Sequence, residues 1–166
     1  MLASARDEYL AAGVTTVQNG YAGKWMIRLL QALQTLRVIP QRIVPWPAHA
    51  KFDNQQDMLE MFERYESKGV SKFHLGAVKL IVDGSPQGRT AWLREPYRTK
   101  TNGIRDNGSA ALELERLQEL VLGYHRAGRQ LALHGNGSAA IDAIITAVHL
   151  AQLEFPNPDV KHILVH

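Results

Sequence analysis

Short β-branched runs alternate with helical patterns along the whole chain, and that alternation restricts its fold more than any other feature. The strand-like runs are "VTTVQNG", "VIPQRIVPWP", "AVKLIVDG", "RQLALHGNG" and "VKHILVH". Between them lie segments of helical spacing: "LASARDEYLAAG", "KWMIRLLQALQTLR", "NQQDMLEMFERYESKG", "AALELERLQELVLGYHRAG" and "SAAIDAIITAVHLAQLEF". Strands that take turns with helices imply βαβ units and a parallel sheet. The arrangement fits an open α/β sheet or part of a (β/α)8 barrel. A complete barrel needs about 250 residues; with 166 residues the chain can supply only part of one.

Local signals refine this outline. Gly13 and Gly128 follow helical runs and are expected to close them. Asn19-Gly20 reads as a turn after the first strand, and Pro40 and Pro45 interrupt the second. Trp25, Ile27, Leu30, Leu33 and Leu36 are available to one apolar helix face, and Met58, Met61, Phe62 and Tyr65 form a core stripe. Residues 85–110 have no periodicity and are rich in Gly, Pro, Arg and Asn. A connection of that length is a functional lid or disordered.

Composition narrows the function classes. Cysteine is absent, which removes disulfides, thiolate metal sites and a cysteine nucleophile and fits a cytoplasmic protein. No apolar run approaches the roughly 20 residues that span a bilayer, and Arg6, Asp7 and Glu8 stand where a signal peptide needs its apolar core. The formal net charge is +3. The basic residues Arg89, Arg94, Arg98, Lys100 and Arg105 are interleaved with Glu95 and Asp106, the pattern of a solvated loop rather than of a nucleic-acid face. Neither a nucleic acid nor a membrane is an expected partner.

Three strand ends carry residues that could do chemistry. In "AVKLIVDG", Lys79, Ile81 and Asp83 share one face while Val78, Leu80 and Val82 share the other. A buried, unpaired ammonium is costly and loses its proton more easily, so Lys79 is either a structural partner of Asp83 or part of a site. His134 closes "QLALH" and His166 closes "HILVH", both at the carboxyl ends of strands where parallel α/β folds bind ligands. His162 and His166 are four residues apart, but the segment is β-branched and lacks the glutamate of a helical zinc motif. A competing pattern is Gly135-x-Gly137-x-x-Ala140 between a strand and a helix, the context of a dinucleotide-binding turn, although the next strand ends in histidine where an acidic residue would bind ribose. Ser138 and Asp142 read equally well as helix-start residues. No G-x-S-x-G elbow and no phosphate-binding P-loop pattern occurs.

The motifs "AAGVTTVQNG", "VKLIVDGSPQGRTAWLREPY", "LALHGNGSAAID" and "ILVH", in this order, resemble the middle of metal-dependent amidohydrolases, specifically amidohydrolase family 3 and its N-substituted formamide deformylase-like branch. The resemblance implies a (β/α)8 barrel of which this chain covers about strands two to six, as a single partial barrel domain over residues 1–166. It implies a divalent metal centre, usually zinc, with Lys79 as a carboxylated bridging ligand and His134 and His166 as ligands from the following strands. Asp83, Ser85 and Arg89 would shape the substrate pocket or its lid. The substrate would be a small amide-like molecule whose C–N bond is hydrolysed by a metal-activated water. The family's His-x-His pair and its distal catalytic aspartate do not occur here, and Ser138 stands where the family often has aspartate. The isolated chain is therefore expected to be inactive and to self-associate into homo-oligomers through exposed sheet edges. A nucleotide-binding domain using Gly135, Gly137 and Ala140, or a non-catalytic scaffold, are the alternatives.

Overall fold

The computed structural model describes residues 2–66, 72–100 and 103–166, with the side chains of residues 2 and 3 left aside. Its elements alternate as α1 (Leu2–Ala11), β1 (Thr16–Ala22), α2 (Lys24–Thr35), β2 (Arg42–Pro47), a short 3-10 turn (His49–Lys51), α3 (Gln55–Glu66), β3 (Val78–Ile81), α4 (Leu114–Arg126), β4 (Leu131–His134), α5 (Ser138–Glu154) and β5 (Ile163–Val165). The chain is mixed α/β with parallel strands and flanking helices, as the alternation requires. It divides into two compact units, Met1–Val78 and Lys79–His166.

In the first unit β1 and β2 pair in parallel, with Thr16 opposite Arg42 and Asn19 opposite Pro45. Asn19-Gly20 is not the turn that the dipeptide suggests. The strand runs through it to Ala22, and the ladder shifts register between Asn19 and Ala22. The irregularity is a bulge, with the Asn19 side chain accepting from Tyr21 N–H at 3.1 Å. Pro45 is tolerated within β2 because Ile43 and Pro45 direct their backbone nitrogens to the side of residues 72–76, where only an isolated bridge, Ile43 to Phe73, is formed. The Pro45 carbonyl still accepts from Gly76 N–H at 2.9 Å.

The α3 stripe of Met58, Met61, Phe62 and Tyr65 is buried, and Tyr65 meets Phe73 with ring centroids 5.6 Å apart. The broad α2 face does not form: Ile27 is buried, but Trp25 and Leu36 are 69% and 72% exposed. α2 ends with Val38 N–H on the Leu33 carbonyl and Arg37 N–H on that of Gln34, which places Arg37 at φ +57 without a glycine's freedom.

The second unit holds the sheet β3–β4–β5. β4 and β5 run parallel with Ala132 beside Ile163 and His134 beside Val165. Leu80, Val82, Leu131 and Leu133 are buried, as are Leu117, Leu120, Val121 and Tyr124 of α4 and Ile144 and Ala147 of α5. α4 begins at Leu114, later than its sequence pattern, because Ala111 N–H is drawn to the Val82 carbonyl at 2.7 Å. It closes as expected: Gly128, at φ +68, donates to the His125 carbonyl, and Arg129 donates to that of Tyr124.

A histidine pair, His125 buried and His162 half-buried, ties the ends of these elements. Leu131 N–H donates to His162 Nδ1 at 3.1 Å, so the His162 proton is on Nε2. Nε2 lies 3.1 Å from His125 Nδ1, and His125 Nε2 lies 2.8 Å from the Phe155 carbonyl. One set of tautomers satisfies this chain of donors, with both rings neutral and both carrying Nε2–H.

Candidate metal centre

Lys79 is 8% exposed on β3, and burial lowers its pKa from the ordinary lysine value. Val82 N–H donates to the His134 carbonyl at 3.0 Å, which in a parallel ladder sets Ile81 abreast of His134. Lys79 therefore lies one side-chain repeat below His134 on the same face, with Cα atoms about 8 Å apart by strand geometry. A lysine stem can climb that distance toward the strand ends.

His134 and His166 are brought together. Their rings meet edge to face with centroids 4.7 Å apart, and His166 turns there at φ +86 just past β5. His134 Nε2 is 3.1 Å from the Gly84 carbonyl and 3.8 Å from Asp83 Oδ1. Its Nδ1 and both nitrogens of His166 have no hydrogen-bond partner among the described residues. Two adjacent imidazoles, one with its far nitrogen anchored on a carbonyl, fit part of a metal site. Among the described residues no group of three or more His, Asp or Glu side chains could hold an ion.

Asp83 has another task than the one its position suggested. Its side chain is fully buried, and its oxygens accept from Trp92 N–H at 2.9 Å, Asn136 N–H at 3.0 Å and Gly137 N–H at 2.7 Å. The carboxylate joins the end of β3, the long loop and the turn before α5. This also removes the nucleotide-binding alternative. The backbone N–H groups that a phosphate would need at Asn136 and Gly137 already hold Asp83, and those of Ala139 and Ala140 donate to the Trp92 carbonyl. A Cβ at Gly137 would stand 1.9 Å from the Trp92 carbonyl oxygen, so this glycine makes room for the chain's own loop.

The segment from 85 to 110 has no helix or strand among its described residues, yet hydrogen bonds hold it at several of them. Leu93 N–H donates to Asn107, Tyr97 N–H to Asp106, and the Tyr97 hydroxyl to the Ala91 carbonyl. Ser85 builds the turn that opens it, its Oγ accepting from Gly88 N–H at 3.1 Å. Arg89 clamps the loop from inside: its guanidinium binds the Thr99 hydroxyl and carbonyl, approaches Asp106 at 3.7 Å and covers the Tyr97 ring at 4.8 Å. Arg94 pairs with Asp142 through two 2.5 Å bonds. Ser85 and Arg89 thus act on the loop's shape.

Sequence reasoning missed Trp92, Gly84 and Asn136. A strand-end aspartate facing a Gly-Asn-Gly turn on the next strand was the available signal, since such a turn presents consecutive N–H groups to an anion.

The whole chain, residues 1–166, matches the model of the amidohydrolase family called Amidohydro_3, and the protein belongs to that family. It is similar to "Putative amidohydrolase YtcJ" of Bacillus subtilis (strain 168), with 29% identity over 94 residues, covering 55% of this chain and 17% of that protein. Two solved structures share its fold. An uncharacterized metal-dependent hydrolase from Pyrococcus furiosus superposes with a TM-score of 0.69 at 22% identity, over 90% of this chain and 30% of that one. A counterpart from Pyrococcus horikoshii OT3 gives 0.68 at 22% identity, over 89% and 29%. The chain thus spans less than a third of these relatives. Among its described residues no helix is long and apolar enough to cross a membrane.

Proposed function

We propose that the chain is the central part of a metal-dependent amidohydrolase barrel, about strands two to six, and that Lys79, His134 and His166 are its share of the metal-binding side chains. The observation that carries this reading is the contact of the His134 and His166 rings at the ends of adjacent parallel strands, with centroids 4.7 Å apart. Family membership and the metal-dependent hydrolases among the structural relatives support it. The parent enzyme would hydrolyse the C–N bond of a small amide-like substrate, in the manner of the formamide deformylase-like branch. A divalent ion such as zinc would polarise the scissile carbonyl and lower the pKa of water.

The chain's own residues do the preparatory work. Lys79 must act as a neutral amine: its nitrogen bonds to the carbon of carbon dioxide, one proton leaves to solvent, and a carboxylate remains. Burial favours that neutral form. His134 and His166 would offer ring nitrogens as the ligating atoms. Asp83 contributes by holding the backbone around His134 rather than by touching substrate.

Zinc titration of the metal-free chain by calorimetry, with His134→Ala and His166→Ala as controls, tests the reading. Stoichiometric binding that both substitutions abolish is expected, and binding that survives both would overturn it. Mass spectrometry of the zinc-loaded chain should show the addition of one carbon dioxide, lost in Lys79→Ala. Amide or formamide turnover by this chain alone at an enzyme-like rate would refute the expectation that the piece is inactive.

A further inference from the structure

We propose that Asn136 is a positioning residue: together with the Gly84 carbonyl it holds His134 as the Nε2–H tautomer, leaving Nδ1 as the nitrogen that offers its lone pair to a cation. The inference rests on the metal-binding reading of His134 for its purpose, but its geometry stands apart from it. Three atoms form a nearly equilateral triangle. Asn136 Nδ2 is 2.8 Å from the Gly84 carbonyl oxygen, His134 Nε2 is 3.1 Å from that oxygen, and the two nitrogens are 3.1 Å apart.

In such a triangle every angle is about 60°, whereas the two hydrogens of an amide nitrogen diverge by about 120°. Asn136 therefore cannot direct good hydrogen bonds at both the carbonyl and the imidazole. A carbonyl oxygen has two lone pairs and accepts two donors without conflict. The consistent arrangement has both Nδ2–H and Nε2–H on Gly84. The opposite tautomer would face the Nε2 lone pair against the carbonyl lone pairs at 3.1 Å. Asp83 Oδ1, 3.8 Å from Nε2, adds negative potential on the same side and favours hydrogen there.

The backbone is built to keep this corner in place. Asp83 immediately precedes Gly84 and fastens the backbone N–H of Asn136. A Cβ on Gly84 would stand 1.9 Å from Thr90 Oγ1, so the residue that presents the carbonyl is itself enclosed. Asn136 keeps the carbonyl turned toward the ring; an apolar side chain there would leave the oxygen with one donor and let the imidazole rotate. Metal ligands whose other ring nitrogen donates to a carbonyl are oriented this way, and loss of such partners typically costs about 10–100-fold in metal affinity.

Long-range nitrogen–proton NMR of the ¹⁵N-labelled, metal-free chain at pH 8 reads the tautomer directly. His134 is expected as Nε2–H, and an Nδ1–H pattern would overturn the proposal. In Asn136→Leu, circular dichroism should be unchanged while the His134 nitrogen shifts move toward each other, and zinc affinity should fall at least about tenfold. Unaltered nitrogen shifts in the variant would refute the role of Asn136. If the leucine variant does not fold, Asn136→Ala makes the same comparison and the wild-type spectrum still decides the tautomer. Zinc that fails to bind a chain with the expected tautomer would count against the metal reading and leave this inference intact.

Discussion

Acidification should destabilise this chain through the His125–His162 pair, and the size of the effect can be worked out. Burial, reinforced by the neighbouring His125, pushes the His162 pKa down from 6.5 to about 4. The unfolded chain therefore binds a proton first as the pH falls. The stability contributed by the neutral ring is complete above about pH 7, declines between 6.5 and 4, and is gone below that. The full span is worth about 3 kcal/mol at 1.36 kcal/mol per pKa unit, and by pH 5 about 2 kcal/mol of it is lost. Solvent on the open side of the partly buried ring lowers these figures. Structurally, a second proton on His162 has no acceptor, because Nδ1 already accepts from Leu131 N–H and Nε2 already donates to His125. Urea melts at pH 8 and pH 5 on the wild type and on His162→Asn measure the difference. Asparagine keeps an acceptor for Leu131 N–H but does not titrate in this range, so the wild type should lose more than the variant, by up to about 2 kcal/mol. Equal losses in the two proteins would refute the reasoning.

Asp83→Ala strands one buried N–H group, that of Gly137, and two half-buried ones, those of Trp92 and Asn136; with up to about 3 kcal/mol for the buried group and about 1 kcal/mol for each of the others, a loss of about 3–5 kcal/mol is expected in denaturant melts. Arg37→Gly relieves a non-glycine residue at φ +57, so a gain of roughly 0.5–1 kcal/mol should appear as a raised melting temperature. Leu164 is exposed on β5, the terminal strand of its sheet, and light scattering should show association that grows with concentration and that Leu164→Lys weakens. A monomer at high concentration would contradict that.

The parallel α/β plan was legible because period-2 and period-3.6 patterns alternate without overlap, and Met58 to Tyr65 and Gly128 behaved as their spacing demands. The misreadings have a common cause: each depended on a neighbour that the local sequence does not reveal. Asn19-Gly20 is a turn in isolation and a bulge when β2 runs alongside it. Pro45 breaks a strand only where a ladder must continue on its nitrogen side. Trp25 and Leu36 lie on an apolar face of α2 that the described structure does not cover. At the site, the strand-end positions of His134 and His166 could be seen in the sequence, whereas Lys79 lies within β3, near its start, and the use of Asp83 could not be seen. Both an aspartate at a strand end and a Gly-Asn-Gly turn have several ordinary explanations until they are found bonded to each other.

The bonds from Asp83 to Asn136 and Gly137 also say something about time. They join residues 53 and 54 positions apart, so they cannot form until β3 and β4 lie side by side and the intervening chain has been drawn in. Contacts across such separations are reached late, after local helices have formed. Pulse-labelled hydrogen exchange during refolding is therefore expected to protect the amide protons of Asn136 and Gly137 no earlier than the pairing of β3 with β4.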